Sequence, residues 1–482
     1  MLCVLYAHRS RTRQSATSLR LSRRVRRYPH GRRAMSRSLG VILLAAGQGT
    51  RMKSALPKVL HPVCGTPTIH HAYRAAVGLL PQHVVVVVGH EAEQVRAAFA
   101  GLDVQFVEQT ELLGTGDAVR RCVAALEDCD EVLVLNGDSP LLTTDVLNTL
   151  SASRGHSPAA FLTYLTPAPG KMGRVLRDST GRAAQIVEAA DYTGPEGPAE
   201  VNAGKYLFDA AWLWRNIANL PLSPKGEYYL THLISAASNL GDPAVPVIAD
   251  PSEVVDFDDR RGLAVAERIL RTRILDGHML DGVTITDPPT TYIDADVKLA
   301  QDVTILPNCY LQGNTTVASG TVIGPGTTLR NAAIGADCRV QSSNVEDSTI
   351  GARVNVGPFA HVRVNAIIGD DCYLGNYAEV KNSVLGQGVK MHHFSYLGDA
   401  DVGDRANIAA GTITCNYDGQ NKHRTTIGAD AFIGCDTMLV APIIVGAGAL
   451  TAAGSVVTTD VPAGARVAGI PARPLPPKQS EA

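Results

Sequence analysis

The chain has 482 residues, 45% hydrophobic, 19% charged and only 5% aromatic, with a formal net charge of −2. That length accommodates about three domains of ~150 residues, and no run of ~18 apolar residues occurs, so a membrane-spanning helix is excluded. The nine cysteines form no C-x-x-C pair. They suggest neither a disulfide framework nor a zinc site and read as reduced thiols of a cytoplasmic protein, with neither membrane nor nucleic acid as a partner.

Residues 1–34 hold ten arginines and no acid. Three readings stand: a transit peptide, a nucleic-acid arm, or a segment that is not translated, with synthesis starting at Met35. The third is preferred, because the first domain needs nothing upstream of Ser36. Residues 1–35 are therefore set aside as a disordered or untranslated extension.

Residues 36–260 read as an α/β domain. Val41-Ile-Leu-Leu-Ala-Ala is a short apolar run fit for a buried parallel strand. It leads into Gly47-Gln-Gly49-Thr-Arg51-Met52, whose last residue sits where the dinucleotide fingerprint needs a third glycine. Such a loop lets backbone N–H groups approach phosphates, although a plain glycine turn has the same pattern. Lys58, in Leu-Pro-Lys-Val-Leu, either reaches a phosphate or is simply solvated. Val84–Val88 is a second buried strand. Leu113-Gly114-Thr115-Gly116 opens a predicted helix, and Glu131–Asn136 is a third strand running into Gly137-Asp138. Ligands collect beyond the C-terminal ends of such strands, which suits Asp138 to a metal; a turn aspartate is the alternative. Strands alternating with helices imply a doubly wound, Rossmann-like sheet.

Residues 261–281 read as an amphipathic linker helix, apolar at three- and four-residue spacing from Leu263 to Leu275. From 282 to 482 an aliphatic residue followed by a small one returns every sixth position, loosely at first and regularly past Val322. Ile368-Gly, Leu374-Gly, Val402-Gly, Ile427-Gly, Ile433-Gly and Val445-Gly are examples. This is the signature of a hexapeptide parallel β-helix. The period breaks at Lys390–Tyr396, which contains His392 and His393, and again at Gly411–Thr425. Solenoid insertions tend to form binding faces.

Leu44-Ala-Ala-Gly-Gln-Gly-Thr-Arg-Met, Leu56-Pro-Lys-Val-Leu, Leu113-Gly-Thr-Gly and Asn136-Gly-Asp, in that order, resemble the sugar-nucleotide pyrophosphorylases. With hexapeptide repeats behind them they resemble the bacterial bifunctional N-acetylglucosamine-1-phosphate uridyltransferase/glucosamine-1-phosphate N-acetyltransferase family over roughly residues 38–470. The resemblance implies a left-handed β-helix, a homotrimer, and a cytoplasmic enzyme that supplies a precursor of cell-wall polymers. It would acetylate glucosamine 1-phosphate with acetyl-CoA and then transfer UMP from UTP to the product, releasing pyrophosphate. It further implies that Leu44, Ala45, Ala46, Gly47, Gln109, Gly114 and Thr115 hold UTP, while Arg51 and Lys58 neutralise its phosphates. Asn136 and Gly137, which precede Asp138 in the same motif, would bind UTP or the UDP-sugar. Gly173, Glu188 and Asn202 would meet the sugar phosphate. Asp138 would bind Mg²⁺, together with Asp258.

In the acetyltransferase half the resemblance assigns His393 as general base, the commonest role of histidine in proton transfer; a structural histidine is the alternative. Arg363 and Lys381 would grip the sugar phosphate, and Tyr396 and Asn407 would contact the sugar. Ala410, Asn416, Tyr417, Cys435, Ala453 and Arg473 would line the acetyl-CoA site. Glu379 is expected to orient His393, by analogy with carboxylate–histidine pairs. Four departures stand out. Asp258, in Asp-Phe-Asp-Asp-Arg, replaces the asparagine of the family's Gly-Val-Asn-x-Arg; it serves as a second Mg²⁺ ligand or only favours the next helix's N-terminus. Arg363-Val-Asn stands for Arg-Pro-Gly, Cys435 for serine, and Arg473 lies in an altered local pattern.

Overall fold

The computed structural model describes residues 37–475, so the expectation for residues 1–35 lies outside them. The N-terminal sheet is built from β1 (Leu39–Ala45), β2 (His83–Val88), β3 (Gln105–Glu108), β4 (Glu131–Asn136), β5 (Ala159–Thr166), β6 (Arg174–Arg177), β7 (Ala183–Val187), β8 (Ala199–Asp209) and β9 (Val245–Ile248). Its order is β9-β5-β8-β4-β1-β2-β3, with the β6–β7 hairpin attached to β8. β1 lies between β2 and β4 and is parallel to both, whereas β8 runs antiparallel to β4 and β5. The unbroken apolar runs in β1, β2 and β4 follow from burial on both faces. Val41 and Leu43 enter the core on one side of the sheet and Ile42 the core on the other, as the two-residue period requires. Leu44 pairs with Asn136, so β1 and β4 end together and their loops meet at one edge.

A helix over Arg260–Leu280 then leaves the sheet. Asp259 caps it, its Oδ1 accepting from Arg261 N at 2.9 Å and Gly262 N at 3.0 Å. Ala266 and Leu270 pack against Val63, Cys64 and Leu141 of the first domain, and Leu275 belongs to the core of the second. Glu267 accepts from Cys64 N at 2.6 Å, and Ala295 N donates to Cys64 O at 2.9 Å. The helix and the first coil of the solenoid thus hold the first domain together.

From Thr284 onward the chain coils through three stacked sheets of twelve, ten and nine short strands. Regular coils begin well before Val322. Ile293, Ile305, Leu311 and Val317 already keep the inward position; Asp294, Leu306 and Gln312 stand where the small residue belongs, which hides the period in the sequence. Ile305, Ile323, Val340, Val356 and Leu374 lie one above another and form a single apolar column. The small residues sit where successive corners touch. A Cβ on Gly369 would stand 2.7 Å from the carbonyl oxygen of Gly386 on the next coil, too close for any side chain.

Candidate active sites

The loops beyond β1 and β4 enclose a cleft of ≈ 460 Å³. Leu44, Ala45, Ala46 and Gly47 form its floor, and Gln109, Gly114 and Thr115 one wall. Arg51, Lys58, Asn136, Asp138 and Asp258 close the other. Gly137 lies behind them, its N–H donating to Leu44 O at 2.9 Å. At the start of the helix Thr115–Arg120, Gly114 takes φ 95°, and a Cβ there would meet Tyr228 O at 2.7 Å. Gln109 is buried and donates to Gly114 O and to Asp117 Oδ2, both at 3.0 Å. Burial works to raise the pKa of Asp117, but hydrogen bonds from Gln109, Arg121 and Arg120 outweigh it and hold the carboxylate below its usual range.

A second cavity of ≈ 230 Å³ adjoins the first, and Asn136, Asp138 and Asp258 line both. Asn202 faces it, with Tyr164, Met172 and Gly204. Gly173 and Glu188 line neither cavity. Gly173 O accepts from Asn202 N at 2.9 Å, and Glu188 accepts from Thr231 Oγ1 at 2.9 Å.

The three acids before the connecting helix take three separate roles, which the sequence alone left unresolved. Asp259 is the helix cap. Asp258 turns to the cleft, where Arg51 bonds its Oδ2 and Lys58 Nζ lies 3.1 Å from its Oδ1. Asp256 points inward and accepts from Lys205 Nζ at 2.5 Å, Ser139 Oγ at 2.6 Å and Asn136 Nδ2 at 3.0 Å. Burial pushes the Asp256 carboxyl up, with Lys205 opposing. Lys58 also lies 2.5 Å from Asp138 Oδ2. Burial disfavours its charge, but Asp138 and then Asp258 more than offset this and keep its pKa above the ordinary value. Two carboxylates from different loops therefore converge on one point that a single cation reaches. That donor set, hard oxygens only, fits Mg²⁺.

Sequence reading missed Lys205 and Asp256. The signal was present: Val201, Ala203, Lys205 and Leu207 share one face of β8, and all four are buried. A lysine at an inward position demands an acid partner. Another grouping, His83, Asp128 and Cys129, was not suggested by spacing either. It lies at the N-terminal ends of the strands, away from the cleft, and Asp128 Oδ2 already accepts from Gln82 at 2.7 Å and meets His83 Nε2 at 3.1 Å.

On the solenoid, Arg363, Lys381 and Gly398 are paired residue by residue on three consecutive coils. Arg363 donates to Glu379 Oε1 through Nε at 3.0 Å and Nη2 at 2.6 Å. Glu379, expected to orient His393, is thus engaged by arginine one coil below, because parallel pairing sets Arg363 within its reach. The Tyr396 ring lies against Gly398, where a Cβ would come within 2.2 Å of its hydroxyl. Lys381 Nζ stands 3.9 Å from Asp399 Oδ2, and Asp399 also accepts from the buried Asn416. Nearby Lys422 and then burial lower the Lys381 pKa. Tyr417 is exposed on the extruded loop.

His393 is exposed at the corner leading into the strand Ser395–Gly398. Directly after it, Phe394, Ala410, Cys435 and Ala453 stack on successive coils: Gly411 N donates to Phe394 O, Asp436 N to Ala410 O and Gly454 N to Cys435 O. Three of the expected coenzyme residues thus form one column at this corner. Asn416 and Tyr417 stand at the other end of that face, and Asn407 lies in the strand preceding Ala410, on the neighbouring face. Arg473 is exposed in the last short strand, paired with Ala468.

The family model of a MobA-like NTP transferase domain matches residues 41–194, and that of bacterial transferase hexapeptide repeats matches residues 296–331 and 347–382. The chain is 45% identical to the bifunctional protein GlmU of Pelobacter propionicus over 89% of this chain and 95% of that one. It is 43% identical to the bifunctional protein GlmU of Brevibacillus brevis over 87% of this chain and 92% of the relative. For that of Burkholderia thailandensis the identity is 42%, over 88% and 95%.

Proposed function

The chain belongs to the GlmU family of bifunctional proteins, and from that premise we propose how its two sites divide the chemistry. It is a uridyltransferase and an N-acetyltransferase of UDP-N-acetylglucosamine synthesis. The solenoid acetylates glucosamine 1-phosphate: the amine nitrogen attacks the acetyl-CoA thioester, the C–S bond breaks, and coenzyme A leaves as a thiol. The N-terminal domain then joins the product to UTP. A phosphate oxygen attacks the α-phosphorus, the bond to the bridging oxygen breaks, and pyrophosphate leaves.

The observation that carries this division is the pair of adjoining cavities with Asp138 and Asp258 in their shared wall. UTP occupies the larger one, over Leu44–Gly47, with Gln109, Gly114 and Thr115 around the nucleoside and Arg51 and Lys58 toward the phosphates. The sugar phosphate takes the smaller one, at Asn202, with Gly173 and Glu188 behind. Asp138 and Asp258 would hold Mg²⁺, which supplies charge neutralisation to the triphosphate. The remaining work is positioning, for which two rigid strand ends are well suited.

In the acetyl site, Arg363 and Lys381 bind the phosphate and Tyr396 and Asn407 the sugar, while His393 accepts the amine proton. The coenzyme runs along the Ala410, Cys435 and Ala453 corner. Asn416 and Tyr417 stand at the far end of the face, so they serve the column of a neighbouring subunit in a homotrimer. Outward positions of the third face, Thr316, Ala333, Thr349, Ile367 and Val384, carry no charge over five coils, which favours burial against another copy. Among the described residues no helix is long and apolar enough to cross a membrane, and we place the enzyme in the cytoplasm.

The test follows free thiol and pyrophosphate separately. With glucosamine 1-phosphate, acetyl-CoA, UTP and Mg²⁺, both should appear. His393→Ala should abolish thiol release while pyrophosphate release from added N-acetylglucosamine 1-phosphate persists. Pyrophosphate without any thiol from the unaltered enzyme would leave a uridyltransferase on a structural solenoid.

A further inference from the structure

Asp258 uses both oxygens on cations of its own chain: Arg51 bonds Oδ2, and Lys58 Nζ lies 3.1 Å from Oδ1. The same ammonium is 2.5 Å from Asp138 Oδ2. It therefore fills the point between the two carboxylates read above as the Mg²⁺ ligands, on which this inference rests. A small dication takes such oxygens at ~2.0–2.1 Å, so the ammonium and the dication cannot share that point. We propose that Lys58 is the resident counter-ion of the divalent site in the nucleotide-free enzyme, and that the triphosphate draws it off, so that cation and UTP enter together.

Three features support this. The Lys58 side chain is largely enclosed, 13% exposed, and two nearby carboxylates left without a cation would repel one another. The Phe257 ring, 5.4 Å from Nζ, adds a second attraction at the same place. Asp258 is a full carboxylate 3.1 Å from Nζ, so Lys58 has a second anionic anchor here. Release is simple. Lysine is a compact charge on a flexible four-carbon stem, and the cleft that Lys58 lines is the one proposed for the triphosphate. Because coupling between two ligands is reciprocal, each raises the other's affinity by the same factor.

The test measures Mn²⁺ binding to the full chain by electron paramagnetic resonance, with and without UTP and with no sugar phosphate present. Lys58→Met should bind Mn²⁺ without nucleotide at least about tenfold more tightly than the unaltered enzyme, a typical size for such coupling. Lys58→Arg, which keeps a cation there, should not gain that nucleotide-free Mn²⁺ affinity. Arg51→Met should gain less, since among the described residues Arg51 pairs with Asp258 and not with Asp138. In the unaltered enzyme, saturating Mn²⁺ should also expose Lys58 to amine acylation read by mass spectrometry. Unchanged nucleotide-free affinity in Lys58→Met, while UTP still tightens Mn²⁺ binding in the unaltered enzyme, overturns the counter-ion and leaves the metal site standing. Mn²⁺ binding that Asp138→Asn leaves untouched overturns the metal site, and the counter-ion with it.

Discussion

Arg363 and Lys381 occupy facing positions on consecutive coils, and the next position in the column is Gly398. Parallel pairing thus turns residues 18 apart in sequence into one cationic strip, next to a glycine against which the Tyr396 ring lies. Arginine offers a planar fork and lysine a point charge, a combination suited to a phosphate monoester.

Replacing Lys381 with Met should therefore raise KM for glucosamine 1-phosphate, with little change in KM for acetyl-CoA and none in UMP transfer. Steady-state kinetics of each half-reaction checks this. The pH dependence has a defined sign. Lys422, then burial, lower the Lys381 pKa, so its charge is lost at a pH below the ordinary lysine range. KM for the sugar phosphate should start to climb with pH earlier than an unperturbed lysine allows, and Lys422→Met should move that rise to higher pH.

Lys205 and Asp256 make a stability prediction. Lys205 has no exposed surface, and Asp256 ties it to Asn136 and Ser139 beneath the shared wall of the two cavities. Lys205→Met leaves a carboxylate without its cation, at a cost of about 3–5 kcal/mol. Denaturant titration should show a lower midpoint, and Lys205→Met/Asp256→Asn should recover much of the loss, because the amide needs no counter-charge.

Much of this is legible in the sequence. The hexad positions Ile368, Leu374, Leu397, Ile408 and Ile433 are all buried, as a six-residue period demands. The motif residues from Leu44 to Gly47, with Lys58, Gly114, Asn136 and Asp138, surround one cleft, because glycine loops after buried strands leave few other arrangements. What stayed hidden depends on pairing across coils or loops. Nothing local says that Glu379 answers Arg363, that Asp256 turns inward while Asp258 turns out, or that Ala410, Cys435 and Ala453 share a corner. The antiparallel direction of β8 was equally hidden, since a buried antiparallel strand has the same apolar composition as its parallel neighbours.

That corner gives the third prediction. Among the described cysteines Cys435 is exposed and Cys415 half-buried, whereas Cys64, Cys122, Cys129, Cys309, Cys338 and Cys372 are buried. Alkylation by N-ethylmaleimide should block acetyl transfer and spare UMP transfer. Acetyl-CoA should protect against it, and glucosamine 1-phosphate should not. Cys435→Ser should retain activity and become insensitive. Inhibition persisting in Cys435→Ser would place the reactive thiol elsewhere.

The last prediction concerns Gly375, which carries no functional group. A Cβ on it would lie 1.8 Å from the carbonyl oxygen of His392, one coil above. Both atoms are backbone-fixed, so Gly375→Ala must push that corner outward. The next residue is His393, while Tyr373, on the coil below, stacks on the His392 ring at 4.4 Å and resists the shift. Overpacking of this kind costs about 1–3 kcal/mol, which a solenoid with one continuous apolar column tolerates. Catalysis is less forgiving: a displacement near 1 Å can lower a rate about 100-fold. Acetyl transfer should fall by about that factor with the circular dichroism spectrum unchanged, and UMP transfer should stay normal because its cleft is formed by a separate sheet. Loss of both activities together would mean that the coils near Gly375 support the first domain as well, and that the two sites are mechanically coupled.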